Sequence, residues 1–196
     1  LKIAIIGAGA AGIMAAITAK RLNKNLQIDL FDANKGIGKK ILASGNGRCN
    51  ISNNQITSKN YLGENPDFTS FALKEFDFKA FEKFCKSIGL LLDIKPSGKV
   101  YPLSNEAKSV TNLLELALQE LGVNIYLESM ITDIEKVEDK FNIKTQDNEY
   151  KAYDKVVISN GLGAAPQLNA NESGLEFASK FGHSFNPTYP SLVGLE

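Results

Sequence analysis

A handful of residues near the N-terminus have the types and spacing needed to hold a diphosphate. Gly7-Ala8-Gly9-Ala10-Ala11-Gly12 fits G-x-G-x-x-G, with an apolar run at 2–6 before it and an alanine-rich stretch at 13–22 after it. In a strand–turn–helix context Gly7 permits the tight turn, Gly9 lets the phosphates approach the backbone, and Gly12 lets helix and strand pack closely. The N-terminus of the following helix brings free N–H groups and about half a positive charge to the same place. Asp32 closes the next apolar run, twenty residues after Gly12, where a carboxylate can accept hydrogen bonds from both hydroxyls of a ribose. An acid there disfavours a 2′-phosphate, so NADP does not suit this slot. The plain alternative is an Ala/Gly turn used only for packing; strand, turn, helix, strand and acid in register favour a dinucleotide.

A second stretch, KKILASGNGRCNISN at 39–53, gathers Lys39, Lys40, Arg48, Cys49 and several asparagines and serines around Gly45 and Gly47. From Ala33 to Gly63 there is no acidic residue, where roughly three to four would be expected from composition. Five bases stand in that window: Lys35, Lys39, Lys40, Arg48 and Lys59. Local positive charge in a neutral chain points to an anion bound locally. Lys39 and Lys59 also read simply as solvated charges.

The bulk numbers narrow the class. The chain has 196 residues, 43% of them hydrophobic and 22% charged, which suits a globular domain with a buried core. Twenty-two bases balance twenty-two acids, so nothing in the net charge proposes nucleic acid or an anionic membrane as partner. No apolar run reaches the ~20 residues needed to span a bilayer. Two cysteines, Cys49 and Cys85, make no disulfide framework or metal site, which places the chain in a reducing compartment, the cytoplasm. No Ser/His/Asp triad, metal cluster or paired-carboxylate arrangement is visible.

These residues need a scaffold, and the hydrophobic pattern supplies one. Residues 2–6, 13–22 and 26–31 read as one βαβ unit, followed by a largely aperiodic segment at 33–63 that is expected to be an ordered loop with short helical pieces. Asp77 caps a predicted helix whose Phe78, Phe81, Phe84, Cys85 and Ile88 share a face, with Gly89 ending it. The Phe-rich stripe from Phe68 to Phe84 is read as core packing in preference to an aromatic wall for substrate. Ser104 is read as the cap of a further helix with Val110, Leu113, Leu114, Ala117 and Leu121 on one side and Gly122 at its end. A strand at 123–127 precedes an antiparallel meander at 131–137, 141–145 and 149–152, and a last strand at 155–159 runs into Asn160-Gly161. The fold class that follows is α/β: a doubly wound, mostly parallel, Rossmann-like sheet with a small antiparallel β-meander.

Gly38-Lys39-Lys40-Ile41-Leu42-Ala43-Ser44-Gly45-Asn46-Gly47-Arg48-Cys49-Asn50-Ile51-Ser52-Asn53 resembles the G-R-K-x-x-x-S-G-G-G-R-C-N-x-T-N signature of the aminoacetone oxidase-like, or BaiN-like, FAD-binding flavoprotein family. Ser97-Gly98-Lys99-Val100-Tyr101-Pro102 is similar to that family's G-R-x-F-P element. Gly182-His183 with Pro187, Pro190, Leu192 and Val193 is similar to its G-H-x(3)-P-x-x-P-x-L-V ending. Two segments depart from the family: Ser159-Asn160-Gly161-Leu162 stands for A-T-G-G, and residues 169–174 keep only Gly174 of G-S-T-G-D-G.

The resemblance implies FAD as cofactor, with the pyrophosphate over Gly7, Gly9, Ala10, Ala11 and Gly12 and the adenosine ribose on Asp32. It carries Lys40, Ser44, Gly45, Arg48, Cys49 and Asn50 over as contacts near the flavin, Ile131 with Met130 as the approach to the adenine, and Gly161 as a contact from the last strand. It also implies that residues 1–196 are one FAD-binding domain, truncated relative to a family about twice as long, without its substrate-side domain and last flavin-binding segment. The expected function is an FAD-dependent oxidoreductase acting on a small-molecule substrate, with NAD(P)H a candidate reductant. Two other functions stay open: a cofactor-binding module with no catalysis of its own, and an NAD-dependent dehydrogenase. No side chain takes a catalytic acid or base assignment. Cys49 is more readily a packing residue than a redox partner, and His183 more readily a structural hydrogen-bonder than a catalyst.

Overall fold

The computed structural model describes residues 1–63, 65 and 67–188. The elements begin with β1 (Lys2–Ile6), α1 (Ala10–Leu22), β2 (Gln27–Phe31) and α2 (Lys39–Ala43). Next come β3 (Ser52–Asn53), α3 (Phe68–Glu75), α4 (Phe78–Ser87), β4 (Leu92–Ile94), β5 (Lys99–Pro102) and α5 (Ala107–Glu120). The remainder is β6 (Asn124–Tyr126), β7 (Ile131–Val137), β8 (Lys140–Thr145), β9 (Glu149–Tyr153), β10 (Lys155–Ile158) and α6 (Ser173–Lys180). The chain divides into two compact units: one of Leu1–Lys39 with the described residues from Leu118 onward, the other Lys40–Ala117.

The first unit carries a four-stranded parallel sheet in the order β10-β1-β2-β6. Ala4, Ile5 and Ile6 of β1 are all buried, as a parallel strand between two neighbours requires. This is the Rossmann-like α/β arrangement, and the meander is present as β7-β8-β9. One cluster joins the two sheets: Ala4, Ile6 and Phe31 pack with Ile131, Ile134, Ile143, Tyr153 and Phe177. Phe31 stacks on Tyr126 at 4.9 Å between ring centroids and meets Tyr150 edge-on at 4.9 Å, which fixes the end of β2 just ahead of Asp32. The buried Asp29 is satisfied by Asn124 Nδ2 (2.7 Å) and the Tyr153 hydroxyl (2.7 Å), with Lys2 Nζ 3.9 Å away.

The second unit holds an antiparallel sheet in the order β3-β5-β4. Asp77 caps α4, its Oδ1 accepting the Ala80 N–H at 2.8 Å, and Gly89 follows the helix at φ +77°. Cys85 and Ile88 of the predicted stripe are buried. The Phe stripe as a whole is not core: Phe68 is 73% and Phe71 75% exposed. The physical reason is a break after Glu75, which makes α3 a separate helix, so one helical period does not run from Phe68 to Phe84. Ser104 is not the cap of α5 either; it stands ahead of the helix and accepts the Glu106 N–H at 3.3 Å. Among the described residues no helix is long and apolar enough to cross a membrane.

Candidate functional site

The turn between β1 and α1 is built by three glycines with different tasks. Gly7 has φ +99°, and its N–H donates to the Phe31 carbonyl at 2.8 Å. A Cβ there would lie 2.6 Å from Asn160 Cα, so the turn packs directly on the backbone that follows β10, where the Ser159 hydroxyl also donates to the Gly7 carbonyl at 3.1 Å. A Cβ on Gly12 would lie 1.9 Å from the Gly7 carbonyl oxygen. Gly9 differs: it is the residue before α1, at φ −81° and ψ −173°, and a Cβ there meets nothing within 4 Å. Ala10 and Ala11 open the helix on its exposed side, with no side-chain cap and no acid in the first turn. The helix start is therefore shaped by close packing on two sides and open on the third. Open space over uncapped N–H groups is what a diphosphate requires, so the residues present fit that part of FAD.

Asp32 stands at the end of β2 and faces this turn. Its Oδ2 accepts the Ala8 N–H at 2.8 Å, and its Oδ1 accepts both the backbone N–H and Nδ2 of Asn34 at 2.8 Å. The carboxylate thus holds the turn as well as being available to a ligand. Gly161 follows β10 with φ +78° and is exposed. Ile131 belongs to the core cluster, whereas its neighbour Met130 is 54% exposed.

In the second unit, Gly45, Asn46, Gly47 and Cys49 all take positive φ, at 58°, 56°, 80° and 60°. Gly45 is required by contact too, since a Cβ would lie 2.6 Å from the Asn50 nitrogen. Ser44 closes the loop from both sides: its hydroxyl donates to the Ile41 carbonyl at 2.7 Å, and its carbonyl accepts the Cys49 N–H at 3.0 Å. Arg48 is exposed, lies 5.4 Å from the Tyr101 ring centre and donates from Nε to the Gly45 carbonyl at 3.3 Å. Lys40 and Asn50 are exposed. Cys49 is buried, and burial pushes its thiol up from the ordinary value against a smaller lowering by Ser44. That is the state of a packing thiol and not of a poised thiolate.

His183 is exposed after α6, and its N–H donates to the Ala178 carbonyl at 3.3 Å. Pro190, Leu192 and Val193 lie outside the described residues. The sequence did not reveal the partner of Asn160 or the role of Asn34. Asn160 Nδ2 donates to Ser173 Oγ at 3.0 Å, and Asn34 organises the surroundings of Asp32. A short polar residue two positions after the acid was the signal available for Asn34.

The family model described as the HI0933-like protein Rossmann domain matches residues 1–189. The chain belongs to this family. It is an HI0933-like Rossmann domain of the BaiN-like FAD-binding flavoproteins, and FAD is its cofactor. Among curated relatives, the 3-dehydro-bile acid delta(4,6)-reductase of Clostridium scindens is 37% identical over 195 residues, 100% of this chain and 47% of that protein. The ribosomal RNA dihydrouridine synthase of Haemophilus influenzae is 31% identical over 193 residues, 96% of this chain and 47% of that protein. This HI0933-like chain thus spans about half the length of the curated relatives it matches. Of solved structures, a variant of the E. coli quinol fumarate reductase subunit FrdA superposes with a TM-score of 0.60 at 16% identity, covering 84% of this chain and 33% of that chain. At such identity the likeness speaks for the fold alone.

Proposed function

We propose that this chain is the FAD-binding part of an oxidoreductase that saturates a carbon–carbon double bond conjugated to a carbonyl, with NAD(P)H as reductant. The observation that carries the cofactor part is the open face at Gly9 between the closely packed Gly7 and Gly12. The substrate class rests on the names of the two relatives, since a delta(4,6)-reductase of a 3-dehydro-bile acid and a dihydrouridine synthase both describe removal of such a double bond. Bound FAD supplies hydride or electron transfer through its isoalloxazine ring; the protein's own part is to bind, orient and tune.

In this reading Gly7, Gly9, Ala10, Ala11 and Gly12 take the pyrophosphate, Asp32 the adenosine ribose, and Met130 with the backbone of Ile131 the adenine. Gly161 is a further contact. Lys40, Ser44, Gly45, Arg48, Cys49 and Asn50 contact the flavin on the strength of the sequence resemblance, with Arg48 and Lys40 offsetting negative charge. Two buried free thiols agree with a reducing, cytoplasmic setting.

An absorption spectrum of the purified chain, followed by identification of the released cofactor, tests the first half: a flavin spectrum with FAD released is expected. A colourless protein that takes up no FAD sinks it. Consumption of NADH or NADPH with a steroid 4-en-3-one tests the second half. FAD that stays bound and never cycles would instead leave a cofactor-binding module.

A further inference from the structure

The acceptor capacity of Asp32 can be counted. A carboxylate offers about four lone-pair positions. Three are taken: Oδ1 by the N–H and Nδ2 of Asn34, and Oδ2 by the Ala8 N–H. One remains, on Oδ2, so Asp32 cannot accept from both hydroxyls of a ribose as the spacing of the sequence suggested. The second hydroxyl needs another partner, and the same corner of the first unit holds one. Asn34 Oδ1 accepts from Lys39 Nζ at 3.1 Å and from Asn169 Nδ2 at 3.0 Å. The orientation of the Asn34 amide is fixed by this arrangement, because the ammonium only donates and the carboxylate only accepts. Asn34 therefore serves as a relay that holds a cation close to the acid. Lys39 and Asn169 each spend one N–H on Asn34, out of three and two respectively. The relay thus brings unspent N–H donors into the neighbourhood of Asp32.

We propose that Lys39 is a cofactor-binding residue, which donates to the ribose hydroxyl that Asp32 cannot take, and that Asn34 is the positioning residue that sets both charges. Asn169 braces the relay from the segment between β10 and α6. Lys39 is then part of the ribose site and not a solvated charge. This rests on the reading of the turn as a dinucleotide site, and its test is chosen to fail separately.

The affinity of the full chain for FAD is measured by quenching of flavin fluorescence, and for ADP by calorimetric titration. Lys39→Met and Asn34→Ala should each weaken both ligands about tenfold, and Lys39→Arg should stay within about threefold of wild type. Unchanged thermal melting of the free variants separates this from loss of fold, which is expected because Lys39 and Asn34 lie outside the buried core. FAD and ADP affinities within twofold of wild type in Lys39→Met overturn the proposal. If the chain binds ADP in a Lys39-dependent way but not FAD, the ribose cluster stands and the flavin reading fails. If wild type binds neither, both fail.

Discussion

Gly9 and Gly12 look alike in the motif, yet the structure asks different things of them. Gly9 has an extended backbone that any residue can adopt, and its missing side chain leaves open space. Gly9→Val should therefore fold with its melting temperature little changed and lose FAD retention, because the isopropyl group occupies the place of the phosphates; the variant holding FAD as wild type does would refute the placement. Gly12→Ala should do the reverse first, since its methyl meets the Gly7 carbonyl oxygen at 1.9 Å. A loss of about 3 kcal/mol in urea unfolding is expected, as for an overpacked core position, and an undiminished unfolding midpoint would contradict it. The glycine spacing made these roles legible in the sequence, because the constraint lies within six residues. The Asn34 relay was not legible, since one of its partners, Asn169, is 135 positions away and only folding brings them together.

Among the elements, those marked by an apolar run, a clear period or a cap were readable, β6 and β10 included despite their three and four residues, whereas the remaining short ones were not. The βαβ unit appears where its apolar runs place it, because a parallel strand covered on both faces is largely apolar, and the meander appears where its alternation and polar turns place it. α1 starts at Ala10, ahead of the predicted stretch, since the second half of the glycine motif is itself the first helical turn. The strands β3, β4 and β5, of two, three and four residues, are too brief to show a period, and β5 ends in a proline. The eight-residue α6 escaped notice for the same reason. Helix α4 was legible by its cap, and its stability can be tested there: Asp77→Ala should cost about 1 kcal/mol in chemical unfolding by leaving the Ala80 N–H without its acceptor. No change in midpoint would show the cap to be idle. On α3 the expectation is opposite. Phe71→Ser should shift stability by no more than about 0.5 kcal/mol, because the ring is 75% exposed; a loss of several kcal/mol would mean that this face is covered in the folded protein.

At the scale of the whole molecule, both units bury weakly acidic groups that must stay protonated. In the first unit Tyr153 is fully buried, and its hydroxyl donates to Asp29. Burial, then that hydrogen bond and the Asp29 charge, pushes its titration upward from the ordinary tyrosine value. In the second unit the buried Cys85 thiol is pushed up to about 12, mainly by burial and then by Glu82. Both shifts raise the folded value above that of the unfolded chain, so the sign is the same. Their stabilising contribution is fully present below the unfolded values, about 8.5 for cysteine and 10 for tyrosine, and fades as pH rises toward the folded ones. Stability should therefore hold near pH 7–8 and fall progressively above about pH 9, first through Cys85 and then through Tyr153. Urea unfolding at closely spaced pH values, with reductant present, measures this, and proton uptake linkage predicts which replacement matters where. Tyr153→Phe should be less stable than wild type at neutral pH, having lost the bond to Asp29, and should close that gap as the pH passes 10, because phenylalanine has no proton to lose. A gap that stays constant from pH 7 to 11 would show that the Tyr153–Asp29 pair does not titrate with unfolding.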